Sequence, residues 1–200
     1  VLLSSGEQMS CALISGSLNN IGIKSRSWLS WQVPIFTEGS YKKSRITNIY
    51  KIRILKYLRS GGVPVVTGFQ GINLDNRLTT LERGGSDSSA IMIAKYFKAE
   101  KCIIYTDVDG VYTTDPNFIK KTKKIKKISY EEMLEMSSLG AKVMQPASIQ
   151  DARLNRTDIY VKSSFKNLKG TLITKKKNIP DNKIITGISF TKNDVKVTLV

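Results

Sequence analysis

The chain has 200 residues and a formal net charge of +16 at pH 7, from 32 lysines and arginines against 16 aspartates and glutamates, and it contains no histidine. That length suffices for one full α/β domain or for a domain and the start of another, while the lack of histidine excludes Ser-His-Asp and Cys-His catalysis and leaves carboxylates, lysine, arginine, hydroxyls and backbone amides to do any chemistry. No window of about 18 uninterrupted apolar residues occurs, and Val1-Leu2-Leu3-Ser4-Ser5-Gly6 has none of the regions of a secretory signal, which predicts a cytoplasmic protein without a membrane partner.

In chain order, Gly6 to Asn20 carries Met9, Ala12, Leu13 and Leu18 at helical spacing, with Ser4 or Ser5 as candidate N-cap and Gly22 past the end. Ile23 to Trp31 reads as a strand and Pro34 to Arg45 as a polar loop. Asn48 to Arg59 places Ile52, Leu55 and Leu58 on one helical face and stops at Gly61-Gly62. Val63 to Thr67 is a short β-branched strand followed by a Gly68 to Gly71 loop. A helix runs from Asp87 or Ser88 to Lys98, and "KCIIYTD" has the composition of a strand buried on both faces, ending at Thr106. Strand, loop, helix, strand is the pattern of a parallel α/β sheet.

Ser129-Tyr130-Glu131-Glu132 is a capping box ahead of a helix through about Ser138, closed by Gly140; a second helix lies near Pro146 to Leu154, and Asp158 to Ser163 is a late strand. Residues 174–183, polar and interrupted by Pro180, read as a linker. Residues 184–200 alternate enough for one or two strands of a second domain that the chain does not complete. Cys11 and Cys102 have no metal-binding spacing and read as reduced, buried thiols. Six of the eight residues from Lys120 to Lys127 are lysine. Their charge attracts polyanions, but the basic residues are spread along the chain without interleaved aromatics, so a solvated surface and no specific nucleic-acid partner is expected.

Three segments lie where a strand meets a helix, the end at which open α/β sheets bind ligands. They are Gly68-Phe69-Gln70-Gly71, Arg83-Gly84-Gly85-Ser86-Asp87, and "YTDVDGVYTTDP" at 105–116. Glycines allow close backbone approach, and a helix N-terminus offers free N–H groups to an anion. Taken singly, Gly84-Gly85 followed by Ser86-Asp87 reads first as a tight turn into an N-capped helix, ahead of a ligand site. An Asp-Val-Asp-Gly loop suggests calcium, but the ligand pattern and closing glutamate of an EF-hand are absent, so no metal site is predicted. No Gly-x-x-x-x-Gly-Lys-Ser/Thr or Gly-x-Gly-x-x-Gly occurs.

Together, "GEQMSCAL" (6–13), "VPVVTGFQG" (63–71), "TTLERGGSD" (79–87), "YTDVDGVYTTDP" (105–116), "EEMLEMSSLGAKV" (131–143) and "GTLI" (170–173) resemble, in order and spacing, aspartate kinase of the amino acid kinase superfamily. The resemblance implies a three-layer αβα fold with a mainly parallel sheet over residues 1–173, followed after the linker by the start of an ACT-like α+β regulatory domain at 184–200. It implies transfer of the ATP γ-phosphoryl group to the β-carboxylate of L-aspartate, with Mg²⁺ arriving with ATP. Glu7 would accept the substrate ammonium, Arg83 would pair with its α-carboxylate and Ser86 would help hold it. Asp87 would orient a catalytic lysine, and Thr106, Asp107, Tyr112 and Lys142 would line the nucleotide pocket. Gly68, Gly71, Gly84 and Gly85 would form the glycine loops.

The family's Lys-x-Gly-Gly segment is not in this sequence. A chain begun after that segment is expected to show little turnover alone, as part of a truncated or split enzyme that pairs with a separately encoded N-terminal piece, or as a non-catalytic remnant; the family resemblance also implies a homodimer. Glu82 stands where the family usually has glycine, and Asn117 where an arginine that reaches phosphate is common.

Overall fold

The computed structural model describes residues 1–141, 143–179 and 185–190. The chain divides between Glu100 and Lys101 into two units, the first holding two of the sheets and the second one, each with its own helices.

The first unit opens with α1 (Leu2–Asn20), which buries Ser4, Cys11 and Ser15 against a two-stranded parallel sheet of β1 (Ser25–Trp28) and β4 (Val63–Val66). The helix starts earlier than its spacing predicts, and neither serine caps it. The Ser4 and Ser5 hydroxyls instead donate back to the Val1 and Leu2 carbonyls, at 2.7 and 2.8 Å, so both residues lie inside the first turn. Gly22, at φ 81°, ends the helix as expected. Cys11 donates its thiol to the Val65 carbonyl at 3.0 Å, and burial pushes that thiol above its ordinary range, as suits an inert core cysteine.

Pro34 to Arg45, expected as a loop, contributes a hairpin. β2 (Ile35–Ser40) and β3 (Lys43–Ile49) pair antiparallel around a turn approached through Gly39 at φ 98°. The polar composition misleads because Ile35 and Thr37 alternate onto a buried face while Thr37 satisfies its hydroxyl with Ile72 and Thr79. β5 (Gln70–Ile72) and β6 (Leu78–Thr80) complete a sheet of order β3-β2-β5-β6. Because β3 takes Asn48 and Ile49, α2 (Ile52–Arg59) is shorter than its pattern predicts. Val33, Ile35, Ile49 and Ile54 form the core, flanked by Trp28, Val66, Ile93 and Phe97. The last two lie on α3 (Gly85–Phe97).

The second unit is a sheet of order β7-β9-β10-β8, from β7 (Cys102–Thr106), β8 (Lys127–Ser129), β9 (Ile159–Ser163) and β10 (Thr171–Thr174). β7 runs parallel to β9 and β8 parallel to β10, whereas β9 and β10 are antiparallel. Among the described residues four of the seven strand pairings are parallel, so the α/β class is as expected with mixed sheets. β7 is not buried on both faces: Cys102 and Ile104 are buried, while Ile103 and Tyr105 face outward. Ile128, Ile159, Val161 and Ile173 fill the space below α4 (Tyr130–Ser138) and α5 (Pro146–Asn155), which contribute Met133, Ile149 and Ala152.

The capping box forms as predicted. The Ser129 hydroxyl accepts from the Glu132 amide at 3.1 Å, and the Glu132 carboxylate accepts from the Ser129 amide at 3.0 Å. Residues 185–190 form no strand but pack beside this cap. Thr186 donates its hydroxyl to Glu132 at 2.8 Å, and the Ile188 amide donates to the Thr113 carbonyl at 2.7 Å. Within 174–183, Lys176–Asn178 makes one 3₁₀ turn. Pro180 and the remainder of the strands expected at 184–200 lie outside the described residues.

Burial alone would raise the Glu132 carboxyl, but hydrogen bonds from the Ser129 amide, Thr186 and the Ser129 hydroxyl, with the Lys176 charge, bring it below its ordinary range. A depressed carboxyl contributes stability that is present above its unfolded pKa of about 4.3 and is lost as pH falls through the lower folded value. Denaturant melts should therefore show Ser129→Ala destabilised by about 1 kcal/mol, and Glu132→Gln should flatten the acid limb of the wild-type stability profile.

Candidate active site

In the first unit the turn into α3 gathers the residues assigned to the substrate. Gly84 has φ 83°, a left-handed conformation that lets the chain reverse into the helix without a side-chain cap. Gly85 starts the helix under Leu81 and Phe69; a Cβ there would lie 2.6 Å from the Leu81 Cβ and 2.9 Å from the Phe69 ring. Helix α3 begins two residues before the earliest expected start, so Asp87 sits in its first turn and is not a cap. The Gly85 amide bonds Glu82, but the Ser86 and Asp87 amides have no backbone partner among the described residues. Two unpaired N–H groups and the positive end of the helix dipole are a site for a negative group.

Glu7 reaches this turn from α1, and the Ser86 hydroxyl donates to its carboxylate at 3.1 Å. Gly68 approaches the same serine closely, with space for a Cβ ending 3.4 Å from the Ser86 Cα. Arg83 is exposed and has no hydrogen-bond or ion-pair partner among the described residues. Asp87 is half-buried, its side chain has no hydrogen-bond or ion-pair partner among the described residues, and burial raises its carboxyl above the ordinary range. A carboxylate so placed favours a cation beside it. Gly71, by contrast, lies in β5, where a side chain would strike the Ile35 carbonyl and Thr37; it makes room for β2 and does not belong to the loop.

Several residues that hold this arrangement carry no signal in a single sequence. Gln70 is fully buried and donates to the Ser4 and Gly68 carbonyls, both at 3.3 Å, while accepting from Gln8 at 3.0 Å, so one amide ties α1 to the glycine loop. Ser89 accepts from the Phe69 amide at 2.9 Å and donates to the Gly85 carbonyl at 2.8 Å. Phe69 itself has φ 65°, rare for an aromatic residue, and is held there by these bonds. Lys43, at the hairpin turn, pairs with Glu82 at 3.1 Å and offsets the charge that the sequence adds beside Arg83; both side chains are exposed, so the pair contributes little stability.

In the second unit the residues assigned to the nucleotide follow β7. Thr106 donates to Asp107 at 3.0 Å at the strand end. Tyr112 donates its hydroxyl to Asp109 at 2.8 Å, and Lys124 pairs with the same carboxylate at 3.0 Å. The Asn117 amide donates to Asp115 at 2.8 Å in the following turn. Lys142 lies outside the described residues. No group of three or more Cys, Asp or Glu that could hold a metal, and no helix long and apolar enough to cross a membrane, occurs among the described residues.

The amino acid kinase family model matches residues 1–163. Over all 200 residues the chain is 44% identical to the aspartokinase of Geobacillus stearothermophilus, covering 49% of that protein, and 44% identical to the aspartokinase of Rickettsia felis, covering 50% of it. The crystal structure of Escherichia coli aspartokinase III in complex with aspartate and ADP superposes with a TM-score of 0.79 at 32% identity, over 88% of this chain and 40% of that one. The chain thus spans about half the length of the curated relatives it matches. A family match of this extent, with relatives named aspartokinase along the whole sequence, establishes that the chain belongs to the amino acid kinase family.

Proposed function

We propose that residues 1–173 are the larger part of an aspartate kinase catalytic domain. The reaction joins a β-carboxylate oxygen of L-aspartate to the ATP γ-phosphorus, breaks the bond from that phosphorus to the bridging oxygen of ADP, and yields 4-phospho-L-aspartate, the first step towards lysine, threonine and methionine. Residues 174–183 serve as a linker, and 184–200 begin a regulatory domain of the ACT kind. The observation that carries the reading is the combination of opposite charges at one turn. Arg83 and the open amides of α3 suit an α-carboxylate, while Glu7, bonded to Ser86 at the same turn, suits an α-ammonium. Together they are complementary to the zwitterionic head of an amino acid, and the similarity to proteins named aspartokinase supports L-aspartate as that amino acid.

The nucleophile is a carboxylate already ionised at neutral pH, so the reaction requires no general base and histidine is dispensable. The barrier comes from bringing two anions together, which cations and N–H donors offset. Asp87 accepts from the lysine of the family's Lys-x-Gly-Gly segment and aims it at the transferring phosphoryl group. Thr106, Asp107, Tyr112 and Lys142 receive the nucleotide, and magnesium enters as part of MgATP, keeping waters and phosphate oxygens as this cation usually does.

Arg83→Ala should weaken L-aspartate binding at least about tenfold in calorimetry, with MgADP binding unchanged; unchanged aspartate affinity would remove Arg83 from the substrate site. Asp87→Asn should separate stability from activity. Its raised carboxyl means that the folded state bears a penalty as pH rises through the unfolded value near 3.9 and beyond. The variant should gain up to about 1 kcal/mol at pH 7, lose that advantage at pH 3, and fail to support turnover. Turnover itself is read by trapping the acyl phosphate with hydroxylamine in the presence of MgATP. Product is expected when a Lys-x-Gly-Gly-bearing segment is supplied, and equal product from the chain alone would show that the lysine is dispensable.

A further inference from the structure

The loop after β7 contains a half-buried ion pair whose partners have no assigned role. Its backbone is a small antiparallel ladder. Tyr112 bridges Lys124, the Thr113 amide donates to the Lys123 carbonyl at 2.9 Å, and the Ile125 amide donates to the Val111 carbonyl at 2.8 Å. The ladder is pinned to β10 through Thr171. The Val111 amide donates to the Thr171 hydroxyl at 2.8 Å, and that hydroxyl donates to the Ile125 carbonyl at 2.6 Å. Gly110, at φ 142°, passes so close to Thr171 that a Cβ would lie 2.7 Å from its hydroxyl oxygen. Asp109 stands immediately before this pinned glycine.

From that position one carboxylate serves both sides of the ladder. Its Oδ1 accepts the Tyr112 hydroxyl at 2.8 Å, and its Oδ2 accepts the Lys124 ammonium at 3.0 Å, with a second, longer bond from Lys124 to the Asp109 carbonyl at 3.4 Å. The Lys124 and Asp109 side chains keep only 28% and 19% of their exposure, so this pair is screened less than a surface pair. Burial opposes ionisation of Asp109, but the two hydrogen bonds and the Lys124 charge outweigh it and hold the carboxyl below its ordinary range. The bond to Asp109 in turn pushes the Tyr112 phenol up, which keeps it protonated as a donor.

A hydroxyl has one proton to donate, and that of Tyr112 is committed to Asp109. The ammonium of Lys124 is likewise neutralised, although it belongs to the lysine-rich stretch 120–127. We propose that Asp109 is the positioning residue of this loop, holding Tyr112 and Lys124 so that Tyr112 meets a nucleotide through its ring and Lys124 serves as a structural counter-ion. The proposal rests on the reading of the loop as the nucleotide site. Asp109 acts through Tyr112 and does not touch the ligand.

The test uses the whole chain, with MgADP and L-aspartate followed separately by calorimetry and the Tyr112 phenol followed by NMR of a ring-labelled sample during pH titration. In Asp109→Ala the phenol should titrate closer to a free tyrosine, MgADP affinity should fall about fivefold, and L-aspartate affinity should be unchanged. Tyr112→Phe should weaken MgADP by a similar factor. The double variant should be no weaker than Asp109→Ala alone, because the hydroxyl works only through that carboxylate. Tyr112→Leu, which removes the ring, should be weaker than Tyr112→Phe. Additive losses in the double variant would mean that the hydroxyl contacts the nucleotide, and an unmoved phenol titration would mean that the tether is not formed; either result overturns the proposal. A wild-type chain that shows the raised phenol yet binds no MgADP would instead overturn the nucleotide reading, and the positioning role with it.

Discussion

The turn into α3 depends on two adjacent glycines. Gly84 supplies a left-handed turn, and Gly85 supplies a missing side chain where Leu81 and Phe69 close in. Any larger residue at Gly85 would push the start of α3 away from the Gly68-Phe69 loop. With it would move the Ser86 hydroxyl that meets Glu7 and the Phe69 amide that meets Ser89. The amides of Ser86 and Asp87 stay open among the described residues because the chain enters the helix through this turn, without a side chain to cap it. The turn therefore gives up the stability of an ordinary N-cap and leaves N–H groups that suit an anion.

Around that turn the charges are arranged by degree of exposure. Arg83 is exposed and has no partner among the described residues, so it can exchange water for a carboxylate at small cost. Asp87 is half-buried and its carboxyl is raised, so its environment favours an approaching cation more than a surface aspartate would. In the second unit the opposite choice is made. Asp109 is saturated by Tyr112 and Lys124, and its carboxyl is depressed. One carboxylate is without a partner among the described residues, and the other is bonded within its loop. Their local sequences, Ser-Asp-Ser and Val-Asp-Gly, do not announce this difference.

What the sequence discloses and what it hides follow from the range of each interaction. The capping box Ser129/Glu132, the Gly22 and Gly140 helix ends and the β4 strand are local and were legible. The hairpin Ile35–Ile49 was not, because its inward-facing polar residues, Thr37 and Ser44, find their partners on β5 and β6, more than thirty residues away. β8 and β10 were too short to show a period; they are strands because they pair with each other across more than forty residues. The candidate site was legible as three glycine-bearing segments. Its supports were not, since Gln70, Gln8 and Ser89 are polar residues whose burial is decided only by tertiary packing. The Lys43–Glu82 pair is of the same kind, joining a hairpin tip to the residue before Arg83.

The central claim is that the Arg83–Asp87 turn receives the head of an amino acid. It is tested most directly by titrating ¹⁵N-labelled chain with L-aspartate while following the backbone amide resonances of the turn. If the turn is the site, saturable shifts should be largest at Ser86 and Asp87, whose N–H groups are open, and should vanish when the α-carboxylate is amidated. Shifts confined to other residues, or unchanged by removal of that carboxylate charge, would contradict it.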